Sequence, residues 1–149
     1  MANDLPSITV KVIGVVKSEF EKENRTKAAS NVVSEIVFDE RFTDALEKID
    51  DFSHIVVLHW IGMVTEPAPM LVHPHLDPAN PIVGVLSTNA PHRPNQVGLC
   101  VVELIERSGN VLKVKGLNAG NGDSVIDIRP YMPELYSFPD ATKASWVSF

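Results

Sequence analysis

Between Gly84 and Gly98 the chain reads Gly-Val-Leu-Ser-Thr-Asn-Ala-Pro-His-Arg-Pro-Asn-Gln-Val-Gly, which brings an imidazole, a guanidinium and a carboxamide close together in sequence. Pro91 and Pro94 fix φ and remove backbone donors, so this stretch is neither ordinary helix nor central strand. It is expected to be a rigid loop that holds His92, Arg93 and Asn95 in set directions, and sites are commonly built on such loops over a β scaffold. Other residue sets also have chemical spacing. His73-Pro-His75-Leu-Asp77 carries the His-x-His-x-Asp pattern that zinc would accept on an extended segment. Pro74 and Pro78 favour a proline-braced surface loop there, and no metal site is expected. Cys100 would need a base and an electropositive setting to act as a nucleophile, and packing is the simpler reading.

The run Gly116 to Gly122, Gly-Leu-Asn-Ala-Gly-Asn-Gly, lacks the strand-to-helix context of a phosphate loop. It reads as a hairpin with an extended tip, whose amides and whose Asn118 and Asn121 carboxamides can face a small polar ligand. Asp127-Ile-Arg129-Pro-Tyr131 sets an acid, a base and a phenol at alternate positions, on one side of an extended segment. That side is either exposed to solvent or the wall of a site.

The elements that must position these groups are mostly strands. Ile8 to Lys17 begins with alternating Ile8, Val10 and Val12 and reads as a strand, followed by a polar loop from Ser18 to Asn31. Val32 to Phe38 is a second strand. Phe42, Ala45, Leu46 and Ile49 then fall at helical spacing, with Asp39 as the N-cap of an amphipathic helix. Ile55 to Ile61, Ile82 to Leu86, Val97 to Ile105, Val111 to Lys115 and Val125 to Ile128 complete the strands. Ser108-Gly109-Asn110 and Asn121-Gly122 mark turns. The proline-rich connection before Pro81 is too long for a simple turn and reads as functional or as a packing arm. The pattern implies a mainly β fold, a single antiparallel β-barrel of about six or seven short strands with one short helix. One domain is expected over residues 1–149, with its core at about 8–133 and a tail at 134–149.

Bulk properties narrow the classes. The hydrophobic fraction of 44% and charged fraction of 21% are ordinary for a soluble globule. A single cysteine cannot form an intrachain disulfide, and no signal-peptide pattern opens the chain, so a cytoplasmic location is expected. No apolar stretch approaches the ~20 residues that cross a bilayer. A net charge of −6 disfavours tight RNA binding by the monomer, although Lys11, Lys17, Lys22, Arg25 and Lys27 near one end, with Arg93, Lys113, Lys115 and Arg129, could form a local patch.

Ordered blocks of the sequence resemble the TrmO (TsaA-like) family. They are Ile13-Gly14-Val15-Val16-Lys17-Ser18, Phe52-Ser53-His54-Ile55, Pro91-His92-Arg93-Pro94-Asn95 with Gly98-Leu99, and Asp127-Ile128-Arg129-Pro130-Tyr131. The match runs from about Val10 to Pro133. The resemblance implies a small β-barrel, usually homodimeric, that binds S-adenosylmethionine and methylates the exocyclic nitrogen of threonylcarbamoyl-adenosine beside the anticodon of tRNA. It also implies that the cofactor lies against Ile61, Gly62, Asn89, Leu99, Cys100, Asn118, Ala119, Gly120 and Asn121. Departures are pointed: the family has arginine at Asn89, proline at Gln96, a histidine near Gly62, and Asp-x-x-Asp-Gly where this chain has Asn118-Ala-Gly-Asn121-Gly122. Neutral asparagines keep hydrogen bonds but make them more weakly than charged partners.

Methyl transfer from a sulfonium is an in-line displacement, so alignment of donor and acceptor is the main task. A conjugated nitrogen also needs a base, or donors that stabilise the developing anion. On this reading Arg93 and Asn95 are the donors, and Asp127, Tyr131 and His92 are the proton acceptors. The rival readings keep the cofactor on a non-tRNA acceptor, or make the chain a catalytically silent binding module.

Overall fold

The computed structural model describes residues 4–19, 27–62 and 65–147. Six strands close into a barrel in the order β1 (Gly14–Lys17), β2 (Val33–Phe38), β7 (Val111–Lys115), β6 (Val97–Ser108), β3 (His54–Trp60) and β8 (Ser124–Pro130). Every neighbouring pair is antiparallel, with β8 returning to β1 through Gly14↔Val125. A short ribbon of β4 (Leu71–Val72) and β5 (Val83–Gly84) lies outside the barrel, inside the proline-rich arm. The α1 helix is the four-residue Pro133–Tyr136.

The barrel follows from alternation. Val16 on β1, Ile36 and Phe38 on β2, Ile55 and Val57 on β3, and Leu112 and Val114 on β7 point inward and are fully or almost fully buried. At the β6–β7 corner Gly109 takes φ 61° in a two-residue hairpin, a conformation glycine adopts without steric cost. β7 coincides with the strand expected from sequence, because turn residues bound it on both sides.

Several expectations are corrected. The predicted strand from Ile8 pairs only from Gly14 onward, and Ile8 is 85% exposed. Alternation there meets no partner strand among the described residues, since the flanking ladders with β2 and β8 begin at Gly14. The predicted amphipathic α-helix is instead a pair of 3₁₀ turns, Glu40–Leu46 and Ile49–Asp51, separated by Lys48 in the left-handed region at φ 69°. Leu46 is buried and Ile49 packs against the core at the i, i+3 spacing a 3₁₀ turn repeats. The expected cap holds: Asp39 Oδ1 accepts the Arg41 N–H at 2.9 Å. Arg41 also grips that carboxylate through its side chain, holding the Asp39 pKa down at about 2. The predicted strand Ile82 to Leu86 contributes only Val83–Gly84 before a 3₁₀ turn at Val85–Ser87. The polar loop from Ser18 closes in a 3₁₀ turn at Lys27–Asn31, while its stretch 20–26 lies outside the described residues.

The glycine-rich run is not a hairpin tip. β7 and β8 are not neighbours in the barrel, so residues 116–123 must cross one mouth of it. The crossing is partly core: Leu117 and Ala119 are wholly buried, while Asn118 and Asn121 remain exposed. Positive φ at Gly116 (91°) and Gly122 (85°) turns the chain into and out of the crossing.

Candidate functional site

The crossing segment gathers one group of predicted residues. Its end at Asp123 joins the end of β3, because Trp60 pairs with both Ser124 and Val97. Ile61 N–H then donates to the Gln96 carbonyl at 2.8 Å, fixing Ile61 and Gly62 beside the start of β6. Cys100 Sγ donates to the Gly116 carbonyl at 3.3 Å and accepts the Asn118 backbone N–H. Asn121 Oδ1 accepts the Ser18 N–H at 3.1 Å, and Ser18 is held in turn by the Ser34 hydroxyl at 2.9 Å. Ile61, Gly62, Leu99, Cys100 and Asn118 to Asn121 therefore share one barrel mouth.

Below that mouth lies a residue pair that sequence reasoning missed. His59 and Asp123 are 3% and 2% exposed, and His59 Nδ1 stands 3.9 Å from Asp123 Oδ2. The same Oδ2 accepts the buried Gly120 N–H at 2.9 Å, which fixes the crossing from beneath. His59 sits directly opposite Gly98 in the β3–β6 ladder, and a Cβ on Gly98 would clash with the Nε2–Cε1 side of its imidazole ring. The signal in the sequence was a histidine at an inward strand position opposite a glycine, but it needs the strand register to be seen.

Burial raises the Cys100 thiol pKa, opposed by the Asn118 N–H. A thiol pushed upward and engaged as a donor is a packing group, not a poised nucleophile.

The predicted catalytic residues divide in sequence between the loop at 91–95 and the stretch from Asp127 to Tyr131. Arg93 Nη1 donates to the Thr88 carbonyl at 2.8 Å and the Ala90 carbonyl at 3.2 Å, so its guanidinium braces the loop internally. His92 and Asn95 are exposed on that loop, and the Asn95 carbonyl accepts the Val97 N–H. Asp127 and Arg129 form a 3.4 Å ion pair on the outer side of β8, both partly or largely exposed. Tyr131 stacks on Tyr136 of α1 at 5.7 Å and meets the His54 ring edge-on, so it docks the tail. Among the described residues, no hydrogen bond or ion pair links Asp127 or Tyr131 to the loop carrying His92.

Asn89, also predicted for the cofactor, lies between Thr88 and Ala90, whose carbonyls Arg93 Nη1 grips. With His92 it lines a cavity of about 870 Å³ between the proline-rich arm, the 85–92 segment and the tail at Trp146. The arm wall is braced by His73 Nδ1 on the Asn80 carbonyl at 2.8 Å and by Asn80 Nδ2 on the Pro74 carbonyl at 2.9 Å. Asp77 Oδ1 is taken by the Ala79 N–H, so His73 and Asp77 serve the loop's own backbone.

Residues 15–137 match the family described as the tRNA-methyltransferase O N-terminal domain. The chain belongs to that family. An S-adenosyl-L-methionine-binding protein of Archaeoglobus fulgidus is 42% identical over 129 residues, covering 85% of this chain and 91% of that one. The tRNA (adenine(37)-N6)-methyltransferase of Escherichia coli K12 is 28% identical over 150 residues, covering 93% of this chain and 63% of that one. The solved structure of TrmO from Pseudomonas aeruginosa superposes with a TM-score of 0.77 at 25% identity, over 94% of this chain and 63% of that one. The chain thus spans under two thirds of these two longer TrmO-type relatives, and only 38% of a further Archaeoglobus relative, a probable S-adenosyl-L-methionine-binding protein. The six-stranded antiparallel barrel is the fold of this family. Among the described residues no helix is long and apolar enough to cross a membrane.

Proposed function

We propose that this chain is an S-adenosylmethionine-binding protein of the TrmO family that holds the cofactor at the barrel mouth crossed by residues 116–123. The observation that supports this most is the meeting of Ile61, Gly62, Leu99, Cys100 and Asn118 to Asn121 at one mouth. The residues fit the group. Asn118 and the amide nitrogen of Asn121 offer neutral donors to hydroxyls, Leu99 offers apolar surface, and the space beside Gly62 is open. Bound cofactor supplies an electrophilic methyl on a sulfonium. The chain's own task is to fix the angle between that mouth and an acceptor held by the adjoining Arg93-braced loop, where Asn95 and His92 are exposed.

A second reading, methylation of the adenine nitrogen beside a tRNA anticodon, is favoured by the activity named for the Escherichia coli relative. The net charge of −6 and the exposed neutral asparagines weigh toward a smaller or different acceptor. The implied homodimer is supported by exposed apolar residues aligned on β6, Leu99, Val101 and Ile105, beside Trp60. Light scattering of the purified protein tests it.

Calorimetric titration with S-adenosylmethionine, with adenosine as control, tests the main reading. Saturable binding at one site per chain is expected, and absence of binding overturns it. A tRNA affinity that falls steeply with salt, followed by methyl incorporation, would move the second reading ahead.

A further inference from the structure

β8 leaves one edge of the barrel wall bare. Its ladder with β1 covers only Gly14↔Val125 and Val15↔Ser124, so residues 126–130 have no strand on that side. The Tyr131 N–H donates to the His54 carbonyl at 3.0 Å, so by alternation Asp127 and Arg129 also turn their backbone groups to β3. Those of Ile128 turn to the bare side. There the Ile128 N–H donates to Asp127 Oδ1 at 3.0 Å, and among the described residues the Ile128 carbonyl accepts nothing. Pro130 has no N–H to offer. Such an edge is a template for a further strand.

The segment that leads into β1 is a strand without a partner. Residues 4–12 are exposed throughout, and among the described residues nothing hydrogen-bonds them. Leu5 is 87% exposed, and the alternating Ile8, Val10 and Val12 are at least half exposed. An extended segment of this kind gains backbone bonds and apolar burial together only against another sheet.

The β8 of its own chain is a poor fit. β8 carries an extra residue at Ile126, where the ladder with β3 steps from Leu58↔Asp127 to His59↔Val125. Val125 and Ile128 therefore both pack on the core. Carrying the Gly14↔Val125 register onward would set Lys11 opposite Ile128, with Val12 and Val10 opposite Asp127 and Arg129. Every pair would join an apolar group to a charged one. A slip of one residue reverses each facing: Val10 meets Ile128, Lys11 meets the Asp127 carboxylate, and Thr9 meets Arg129. The pairing of Gly14 denies that slip to the chain's own arm, while an arm arriving from elsewhere is free of it.

We propose that residues 8–12 of one copy add as an antiparallel strand to the bare β8 edge of a second copy, with Val10 opposite Ile128 and Lys11 opposite Asp127. In a two-fold pair each barrel receives the arm that it gives. The Ile128 N–H then passes from the Asp127 carboxylate to the arriving Val10 carbonyl, and the carboxylate turns to Lys11. This surface is separate from the apolar row on β6 and does not rest on the cofactor reading.

In a Cys100→Ser background, Thr9→Cys and Arg129→Cys would stand as a non-hydrogen-bonded cross-strand pair. Its Cα atoms lie about 4.5 Å apart, close enough for a disulfide. Chains carrying one substitution each, mixed in equal amounts and oxidised, should give a covalent dimer well above either variant alone. Lys11→Glu should lower its yield several-fold. In the unaltered chain, hydrogen exchange at the Ile128 amide should slow as protein concentration rises. Two results overturn the proposal. One is a Thr9→Cys/Arg129→Cys double variant whose disulfide closes only within a chain, which makes the chain's own arm the occupant. The other is fast exchange at Ile128 at every concentration. A dimer in light scattering without the cross-link overturns the exchange alone and leaves the β6 row as the interface.

Discussion

His59 and Asp123 face each other at 3.9 Å inside the barrel, one closing β3 and the other leading into β8. Through Asp123 Oδ2 and the Gly120 N–H this contact reaches the segment that carries Asn118 and Asn121. Replacing Asp123 with alanine strands a buried amide and leaves the imidazole facing a void. A loss of about 3 kcal/mol is expected in urea unfolding. Asp123→Asn keeps an oxygen for the Gly120 N–H and should lose clearly less. A fully stable Asp123→Ala variant would show that the contact does not hold the crossing.

Gly98 is required by the ring opposite it. Gly98→Ala should cost about 2 kcal/mol through overpacking, a fall of roughly 4–8 °C in melting temperature for a chain of this size. His59→Ala makes room for that methyl. The double variant should therefore be more stable than the sum of the two single losses predicts, and strict additivity in the double-mutant cycle would contradict the contact.

Arg93 acts on the loop and not on the barrel. Arg93→Ala removes two hydrogen bonds to the carbonyls of Thr88 and Ala90. A modest stability change of about 1 kcal/mol is expected, with faster amide hydrogen exchange at residues 88–90 and unchanged protection in the β6–β7 hairpin. Unchanged exchange at 88–90 would show that the loop is braced without it.

The Cys100 thiol has a raised pKa because burial disfavours the thiolate. The native state thus keeps its proton at pH values where the unfolded chain releases it, so stability falls as pH rises through and beyond the ordinary thiol range near 9.0. Cys100→Ser should flatten this alkaline decline. Alkylation by iodoacetamide at pH 7.5 should be slower than for a free thiol, and a rate matching glutathione would overturn the assignment.

What the sequence made legible depended on whether a signal was local. β7 was readable to the residue because Gly109-Asn110 and Gly116 bound it. The spacing of Phe42, Leu46 and Ile49 suggested a helix, but the segment turns at three residues per turn and breaks at Lys48. Ile8, Val10 and Val12 alternate as a strand does, yet a strand also needs an edge to pair with, and among the described residues none pairs with them. For the site, the mouth residues Cys100 and Asn118 were named together from family resemblance and do touch. Asn89 was grouped with them by the same resemblance, and it lines a cavity that Trp146, remote in sequence, also lines. Asp127 and Arg129 meet on one side of β8, as their alternate spacing suggests, while Tyr131 lies just past the strand and stacks on the tail's Tyr136.

The ladder Gly14↔Val125 joins the first strand of the barrel to the last. Loop closure on that scale comes late, after local hairpins such as β6–β7 have formed. The crossing that leads into β8 can only settle over the mouth when this seam closes. The surface that would meet a ligand is therefore complete only when β8 pairs, and a nascent chain has no recognition surface there until that strand has emerged. Any ligand of that mouth is a reporter of completed folding, and a half-built barrel is invisible to it.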